Sequence, residues 1–539
     1  MLKQKILEDL KRVVSDLGYP SGDIVLSISK NPTFGDYSTN LALQLAKLTQ
    51  GSNKQTPKEI AKKIVNKLGG LSYLEKAEVA GGGFINFFVK PEDLANDLHE
   101  VLKEGEDFGK SDINKGKKAR VEFISANPTG PLHIGNARSG PLGDVIANIL
   151  TSQGYEVLRE FIDNNVGEQV KALGATIKAK LHGNLAEENQ YQGEYIDELV
   201  KHLEADIENL SDEETGSLAV EMMHEEIMAD SHAMGIKFDL VVHESELRKE
   251  AAEIIDELKK AGVVKEKDGA LWLAPNDEFL KDRETVIQKS DGGYTYFTAD
   301  IVYHKQKFQS GADPIIDIFG SNHHGHVPRL QAAVSALGFD PGKLKVVLYQ
   351  YVRVKRGNIV VKMSKRAGNF ITAREVLDEV GKDAFRFYLL RFAPQTHMDF
   401  DLELLKEESS KNPVFYVQYA HARMANILNK VQVNKIQESS VKSQEVDFAQ
   451  LNNTSEINLI KHLLAFPDLV TELALNLAVH QLTEYAINLA DLFHKFYENC
   501  PVLQAQNDLR EARLSLVEAS RITLANTLKF LGVSAPERM

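Results

Sequence analysis

The stretch from Val121 to Ile162 constrains the architecture more than any other part of the chain. Val121 and Phe123 open a strand, and Asn127-Pro128-Thr129-Gly130-Pro131 supplies a turn. Leu142, Val145, Ile146, Ile149 and Leu150 then recur at the spacing of one helix face, and Tyr155 to Ile162 reads as a second strand. This is a β–loop–α–β unit, the opening of a doubly wound, parallel, nucleotide-binding (Rossmann-like) α/β sheet. Ile315–Phe319 and Val346–Tyr349 are further strand candidates. The region between reads as a helical insertion, about 180–280.

The flanks differ in pattern. Up to about Asp112 the chain reads as a small α+β domain. Ile60, Ile64 and Leu68 sit at helical spacing, and Gly81-Gly82-Gly83 precedes the strand-like run Phe84–Val89. Ser111 through Lys118 reads as a basic linker. From about Leu402 no strand cluster follows. Leu482, Ala486, Leu489, Phe493 and Phe496 keep a 3/4 spacing, as do Leu524, Leu528 and Leu531, which predicts an all-α bundle. The 539 residues therefore divide into 1–112, 113–400 and 401–539.

One cysteine, Cys500, excludes a disulfide framework, a multi-cysteine structural zinc and an iron–sulfur cluster. No stretch nears ~20 uninterrupted apolar residues, and the N-terminus lacks the run of a signal peptide, so a soluble cytoplasmic protein without membrane contact is expected. The net charge of −14 argues at first against a nucleic-acid partner. Its distribution removes that objection. Between Gly183 and His232 stand fifteen acids and one base, Lys201, and the remainder of the chain is neutral. The acidic helices are expected to face away from any bound RNA.

Two segments carry chemistry. The first is Ser125 to Asn136, at the first βα turn, where ligands of open α/β sheets bind. Its helix N-terminus favours phosphate, His133 can donate to a phosphoryl oxygen, and Gly135 leaves room for a flat base. The second is Val361-Lys362-Met363-Ser364-Lys365-Arg366-Ala367-Gly368-Asn369. With Arg353, Lys355 and Arg356 it places six bases and no acid in 353–366. Such a run suits a cationic clamp on a pyrophosphate leaving group.

This pair of signatures resembles the His-Ile-Gly-His and Lys-Met-Ser-Lys-Ser motifs of class I aminoacyl-tRNA synthetases. The surroundings are similar to arginyl-tRNA synthetases of bacterial type. The resemblance runs through Val121-Glu122-Phe123, Ser125 to Gly130, Tyr191 to Ile196, Phe238-Asp239 before Glu244-Ser245, Lys289 to Gly292, Tyr294 to Asp300, Asn412 to Arg423 and the terminal Ala535 to Met539. Two positions depart from the pattern. Asn136 replaces the second signature histidine, and Asn322 stands where relatives carry Asp.

The resemblance implies ligation of L-arginine to the 3′ end of tRNA(Arg) through an arginyl-adenylate, with ATP and its Mg2+ as substrate and no resident metal. Arginine activation would require bound tRNA. His133, Asn136, Lys362 and Lys365 would be catalytic. Pro128, Gly130, His133, Gly135, Asn136, Met363, Ser364 and Lys365 would bind ATP. Glu244, Tyr296 and Asp300 would hold the guanidinium of arginine, which needs carboxylates and a flat surface, Ser125 and Asn127 would meet its main-chain groups, and His324 would be a further pocket member. Tyr296 and Asp300, four apart, would share a helix face. The first domain would touch the tRNA D-loop through Phe84 and Asn86, and the bundle the anticodon through Tyr416, Tyr419, Arg423 and Met539. The family favours a monomer.

Overall fold

The structure, a computed structural model, describes residues 1–20, 22–29, 32–48, 55–184, 190–204, 207–274, 284–357, 359–361, 371–435 and 446–539. The N-terminal part packs helices Leu2–Asp16 and Pro57–Leu68 on an antiparallel sheet. Its strands are β1 (Ser27–Ile28), β2 (Tyr37–Thr39), β3 (Leu74–Ala80) and β4 (Phe84–Val89), in the order β1-β2-β4-β3. Thr56 and Glu59 form a reciprocal capping box on the second helix. The expected apolar face, Ile60, Ile64 and Leu68, is buried.

The central sheet explains the placement of the site. In chain order it receives β5 (Lys118–Glu122), β6 (Glu156–Asp163) and β7 (Leu240–His243). A separate antiparallel sheet follows, of β8 (Val264–Lys267), β9 (Ala270–Leu273) and β10 (Thr285–Gln288), before β11 (Ile315–Gly320) and β12 (Leu344–Tyr349) return to the first. Its order is β12-β11-β5-β6-β7, with every pairing parallel. The chain winds outward from β5 in one direction and comes back on the other side at β11. The switch point therefore lies between these two strands.

Two sequence expectations change. β7 belongs to the main sheet, so the segment about 180–280 is not one helical insertion. Four residues between Asp239 and Glu244 are too short to register as a strand by alternation. The insertion proper is the helices Glu194–Leu203 and Asp212–Ala233, whose Ile196, Leu199, Val220 and Met223 share a core with Leu173 and Ile177 of the preceding helix. The presumed linker is also shorter. Lys118 already sits in β5, and Ser111 N–H donates to the Ser152 carbonyl at 2.8 Å.

The helix Ser139–Ser152 carries its predicted apolar stripe, but it is buried on almost all sides. The sheet covers one side and the C-terminal bundle another, where Asn148 donates to the Phe530 carbonyl at 3.1 Å. The bundle comprises Pro413–Lys435, Thr454–Leu464, Phe466–Asn476, Gln481–Asn499 and Asn507–Leu531. Before it stands a small sheet of β13 (Val352–Arg356), β14 (Ile359–Val360) and β15 (Met398–Asp401), in the order β14-β13-β15. Arg386, fully buried, donates to the Leu531 and Met234 carbonyls at 3.0 and 2.9 Å. It thereby ties the bundle to the catalytic part. No described helix is long and apolar enough to cross a membrane.

Candidate active site

A cavity of about 920 Å³ opens at the carboxyl ends of β5, β6, β11 and β12. That is where a parallel sheet presents its loops. Ser125, Asn127, Gly130, His133 and Asn136 line one wall, and Tyr296 and Asp300 another. The signature turn and the Tyr296–Asp300 pair, some 170 positions apart in the chain, thus meet in one space. Tyr296 and Asp300 stand on the first turns of helix Tyr296–Gln309 and face the same cavity, as their spacing predicts.

The loop after β5 is held in an unusual backbone. Ile124 and Ser125 have φ of 67° and 38°, a region that residues with side chains rarely occupy. Ser139 Oγ accepts from Ile124 N–H at 3.2 Å. Ser125 Oγ accepts from Ile162 N–H at 3.1 Å and donates to Glu122 Oε1 at 3.0 Å. Asn127 is fixed as well, donating to Gln169 at 2.8 Å and accepting from Asn164 at 2.7 Å. Tyr195, from the acidic insertion, reaches over to the Thr129 carbonyl at 3.1 Å. Asn164, Gln169 and Tyr195 carry no signal of their own in the sequence; only the Tyr191–Ile196 motif pointed to the last.

Beneath that loop lies a buried charge cluster. Lys307, fully buried, places Nζ at 2.6 Å from Glu122 and 2.7 Å from Asp317. Asp317 also meets His304 at 2.7 Å, and Glu160 contacts both Tyr303 and Arg120. Burial alone would discharge Lys307, but the three carboxylates outweigh it and raise its pKa. Burial raises Glu122 against the pull of Lys307, whereas Asp317 is lowered because Lys307 and His304 overcome its desolvation. A lysine in a helix reads as surface in sequence, so no local signal marks this cluster.

The signature turn is preorganised in a way the sequence suggested only in part. His133 caps a single helical turn, Ile134–Ala137, and its Nδ1 accepts from Gly135 N–H at 2.9 Å. The neutral ring therefore carries its proton on Nε2. A Cβ at Gly135 would lie 2.9 Å from that ring nitrogen. The glycine thus makes room for His133, and it does not line the cavity, where a base was expected to lie against it; neither does Pro128. Arg138, also fully buried, donates to the carbonyls of Gln350, Thr396 and Ala393 at 2.8, 2.9 and 3.1 Å. Burial lowers its pKa to about 10.

Lys362, Met363, Ser364 and Lys365 lie outside the described residues. Ile371 and Ala373 lie beside the signature turn: Ile134 N–H donates to the Ile371 carbonyl and Ala373 N–H to the Leu132 carbonyl, at 3.3 and 2.7 Å. Three of the six bases in that run are engaged in ion pairs. Arg353 and Lys355 pair with Asp399, and Arg356 with Glu379 at 2.6 Å. Hydrogen bonds from these partners pull Asp399 and Glu379 down to about 2.

The arginine-site candidates separate. Glu244 is 1% exposed and does not line the cavity. Its Oε1 takes two hydrogen-bond-length contacts from Arg248, at 2.8 and 2.7 Å, while Oε2 is buried without a partner among the described residues. Burial pushes its carboxyl up to about 7, with Arg248 opposing and Asp300 and Asp163 adding to the rise. Asp300 meets His326 at 3.0 Å, and this contact raises the histidine pKa against its burial. His324 is exposed and outside the cavity, which His323 and His326 line instead. Asn322 also lines the cavity.

The RNA candidates divide similarly. Phe84 is 44% exposed at the start of β4, but Asn86 is buried at 4%, in the middle of the sheet between β2 and β3. The amide two residues on is therefore not presented beside the ring. Tyr416 is held by Asp491 at 2.6 Å, Tyr419 is 44% exposed, and Arg423 lies 4.5 Å over the Tyr497 ring. His494 packs between the two tyrosines, with ring centroids at 5.3 and 6.1 Å. Met539 is exposed.

Comparisons with known proteins agree with this geometry. Residues 97–389 match the family profile described as tRNA synthetases class I (R), catalytic domain. Residues 1–89 match the Arginyl tRNA synthetase N terminal domain, and 417–539 the DALR anticodon binding domain. The chain is 40% identical to the arginine–tRNA ligase of Carboxydothermus hydrogenoformans, over 99% of its length and 98% of that protein. It is 38% identical to that of Staphylococcus aureus strain USA300, over 100% and 99%. Among solved structures it resembles a putative arginyl-tRNA synthetase from Campylobacter jejuni, with a TM-score of 0.74, 31% identity and coverage of 84% and 100%. The Thermus thermophilus arginyl-tRNA synthetase shares the fold at a TM-score of 0.79 and 24% identity over both full chains.

Proposed function

The chain belongs to the arginyl-tRNA synthetases of class I, and from that premise we propose how its cavity carries the ligation of L-arginine to tRNA(Arg) with ATP. One observation carries the reading: a single cavity is lined both by the signature turn and by the Tyr296–Asp300 face. Arginine lies with its guanidinium toward Asp300, Tyr296 and Glu244, and with its carboxylate toward Ser125, Asn127 and the signature turn. ATP, with its own Mg2+, places its α-phosphate at His133. The carboxylate oxygen attacks the α-phosphorus, and pyrophosphate leaves. No covalent enzyme intermediate is needed, so the protein contributes positioning and positive electrostatics.

His133 presents an Nε2–H donor because Gly135 engages its other nitrogen. Asn136 hydrogen-bonds the nucleotide without adding charge. Lys362 and Lys365 clamp the departing phosphates, a role resting on sequence. With Arg353, Lys355 and Arg356 paired elsewhere, the clamp falls to the lysines of that segment and not to the whole basic run. The 3′-terminal adenosine of the tRNA then takes the arginyl group.

For tRNA, Phe84 offers an exposed ring in the N-terminal part. Tyr419, with Tyr416, Arg423 and His494 behind it, forms the stacking surface of the bundle. The acidic helices face away from the RNA, the enzyme works as a cytoplasmic monomer, and arginine activation requires bound tRNA. The test is transfer of radiolabelled arginine to tRNA(Arg), with pyrophosphate exchange measured with and without tRNA. Charging of arginine alone among the amino acids is the expected result. Folded protein that charges nothing above background refutes the reading.

A further inference from the structure

Arg248 stands where a substrate guanidinium would stand. Its planar fork contacts Glu244 Oε1 through Nε at 2.8 Å and Nη2 at 2.7 Å, and its Cζ lies 5.7 Å from the centroid of the Tyr296 ring. A Cβ placed on Gly167 would be 3.0 Å from both Arg248 Nη2 and Tyr296 Oη, so these two groups converge on one spot. A carboxylate and an aromatic face are the surroundings a guanidinium requires. Arginine would have to enter between the same two residues.

The remaining observations favour a displaceable occupant over a fixed support. Arg248 is tethered one helical turn from Glu244, in a short 3-10 turn, and its side chain is 28% exposed against 1% for Glu244. Glu244 is its one ion-pair partner among the described residues. Glu244 does not line the cavity, although Tyr296 and Asp300 do. Its second oxygen, Oε2, is buried without a partner among the described residues, so these residues satisfy only half of the carboxylate. A ligand that forks onto both oxygens replaces one cation by another and removes that deficit.

We propose that Arg248 is a built-in substrate mimic that occupies the guanidinium subsite of the empty enzyme and must swing out when arginine binds, so that it sets the affinity for arginine. The inference rests on the assignment of Glu244 and Tyr296 to the arginine pocket. Displacement charges each binding event the strength of a partly exposed ion pair, roughly fivefold in affinity.

The test compares KM for arginine in tRNA charging, with KM for ATP as the reference. Arg248→Met removes the fork but keeps an apolar stem, and Arg248→Lys keeps the charge but not the fork. The assay is run at pH 8.5, so that Glu244 stays ionised without its partner. Arg248→Met is expected to lower KM for arginine about fivefold relative to KM for ATP, with Arg248→Lys between. An unchanged or raised arginine KM in both variants, while Glu244→Gln raises it, overturns the displacement and leaves the pocket intact. If Glu244→Gln does not raise it, the pocket assignment fails and takes this inference with it.

Discussion

Lowering the pH below neutrality should weaken arginine binding through Glu244. Its carboxyl is pushed up to about 7 by burial, with Arg248 opposing and Asp300 and Asp163 adding to the rise. The groups that face it are Arg248 on its own turn, Tyr296 and Asp300 on the neighbouring helix, and Asp163 at the end of β6. His326 acts on it through Asp300. The sign follows from which form binds. A guanidinium pairs with the carboxylate, so binding is fully available above pH 7 and is lost as the group protonates below it. One unit below that value about nine-tenths of the empty enzyme carries the neutral acid, which costs about 1.4 kcal/mol, or roughly tenfold in arginine KM at pH 6 against pH 8. His326 works in the same direction, because its charged form competes for Asp300. Glu244→Gln therefore separates the two: its KM is raised, and only the shallower His326 dependence remains. The assay is arginine KM in tRNA charging at saturating ATP, from pH 6 to 9. A KM that is flat between pH 6 and 8, or that improves on acidification, refutes the reasoning.

Three further outcomes are expected. Asp300→Asn should raise KM for arginine about tenfold or more and leave KM for ATP near its starting value, because a hydrogen bond to a charged partner contributes about 1.5–3 kcal/mol. Gly135→Ala should slow pyrophosphate exchange by at least roughly tenfold with little change in melting temperature, since the added methyl strikes the His133 ring and not the core. Lys307→Met should destabilise the fold by about 3–5 kcal/mol in urea titration, because Glu122 and Asp317 are left buried without their cation.

The sequence resolved what local order controls. The first βα unit was legible because Leu142 to Leu150 repeat at helical spacing and the turn before them is rich in Pro and Gly. Tyr296 and Asp300 were legible through the family motif that carries them, and their spacing of four then put them on one helix face. The parts that stayed hidden depend on contacts between distant segments. β7 is too short to carry a period, and only its pairing with β6 makes it a strand. Lys307 looks like any helical lysine until Glu122 and Asp317 close around it. His326 differs from His324 only in which way one turn of chain directs it. Gly135 was expected to leave room for a base, whereas the room it leaves is taken by the His133 ring. Arg248 stands four residues after Glu244, a spacing that suits an ion pair on one helical turn, but nothing local marks that pair as lying against the Tyr296 ring.

The central claim is that the guanidinium of the substrate is held between Glu244, Asp300 and the Tyr296 ring, in the cavity that the signature turn also lines. A structure of the enzyme with arginine and tRNA(Arg) tests it most directly. The expected result is a guanidinium within about 3.2 Å of both carboxylates, against the Tyr296 ring, with Arg248 turned away. Arginine bound elsewhere in the cavity, with Arg248 still on Glu244, would contradict it.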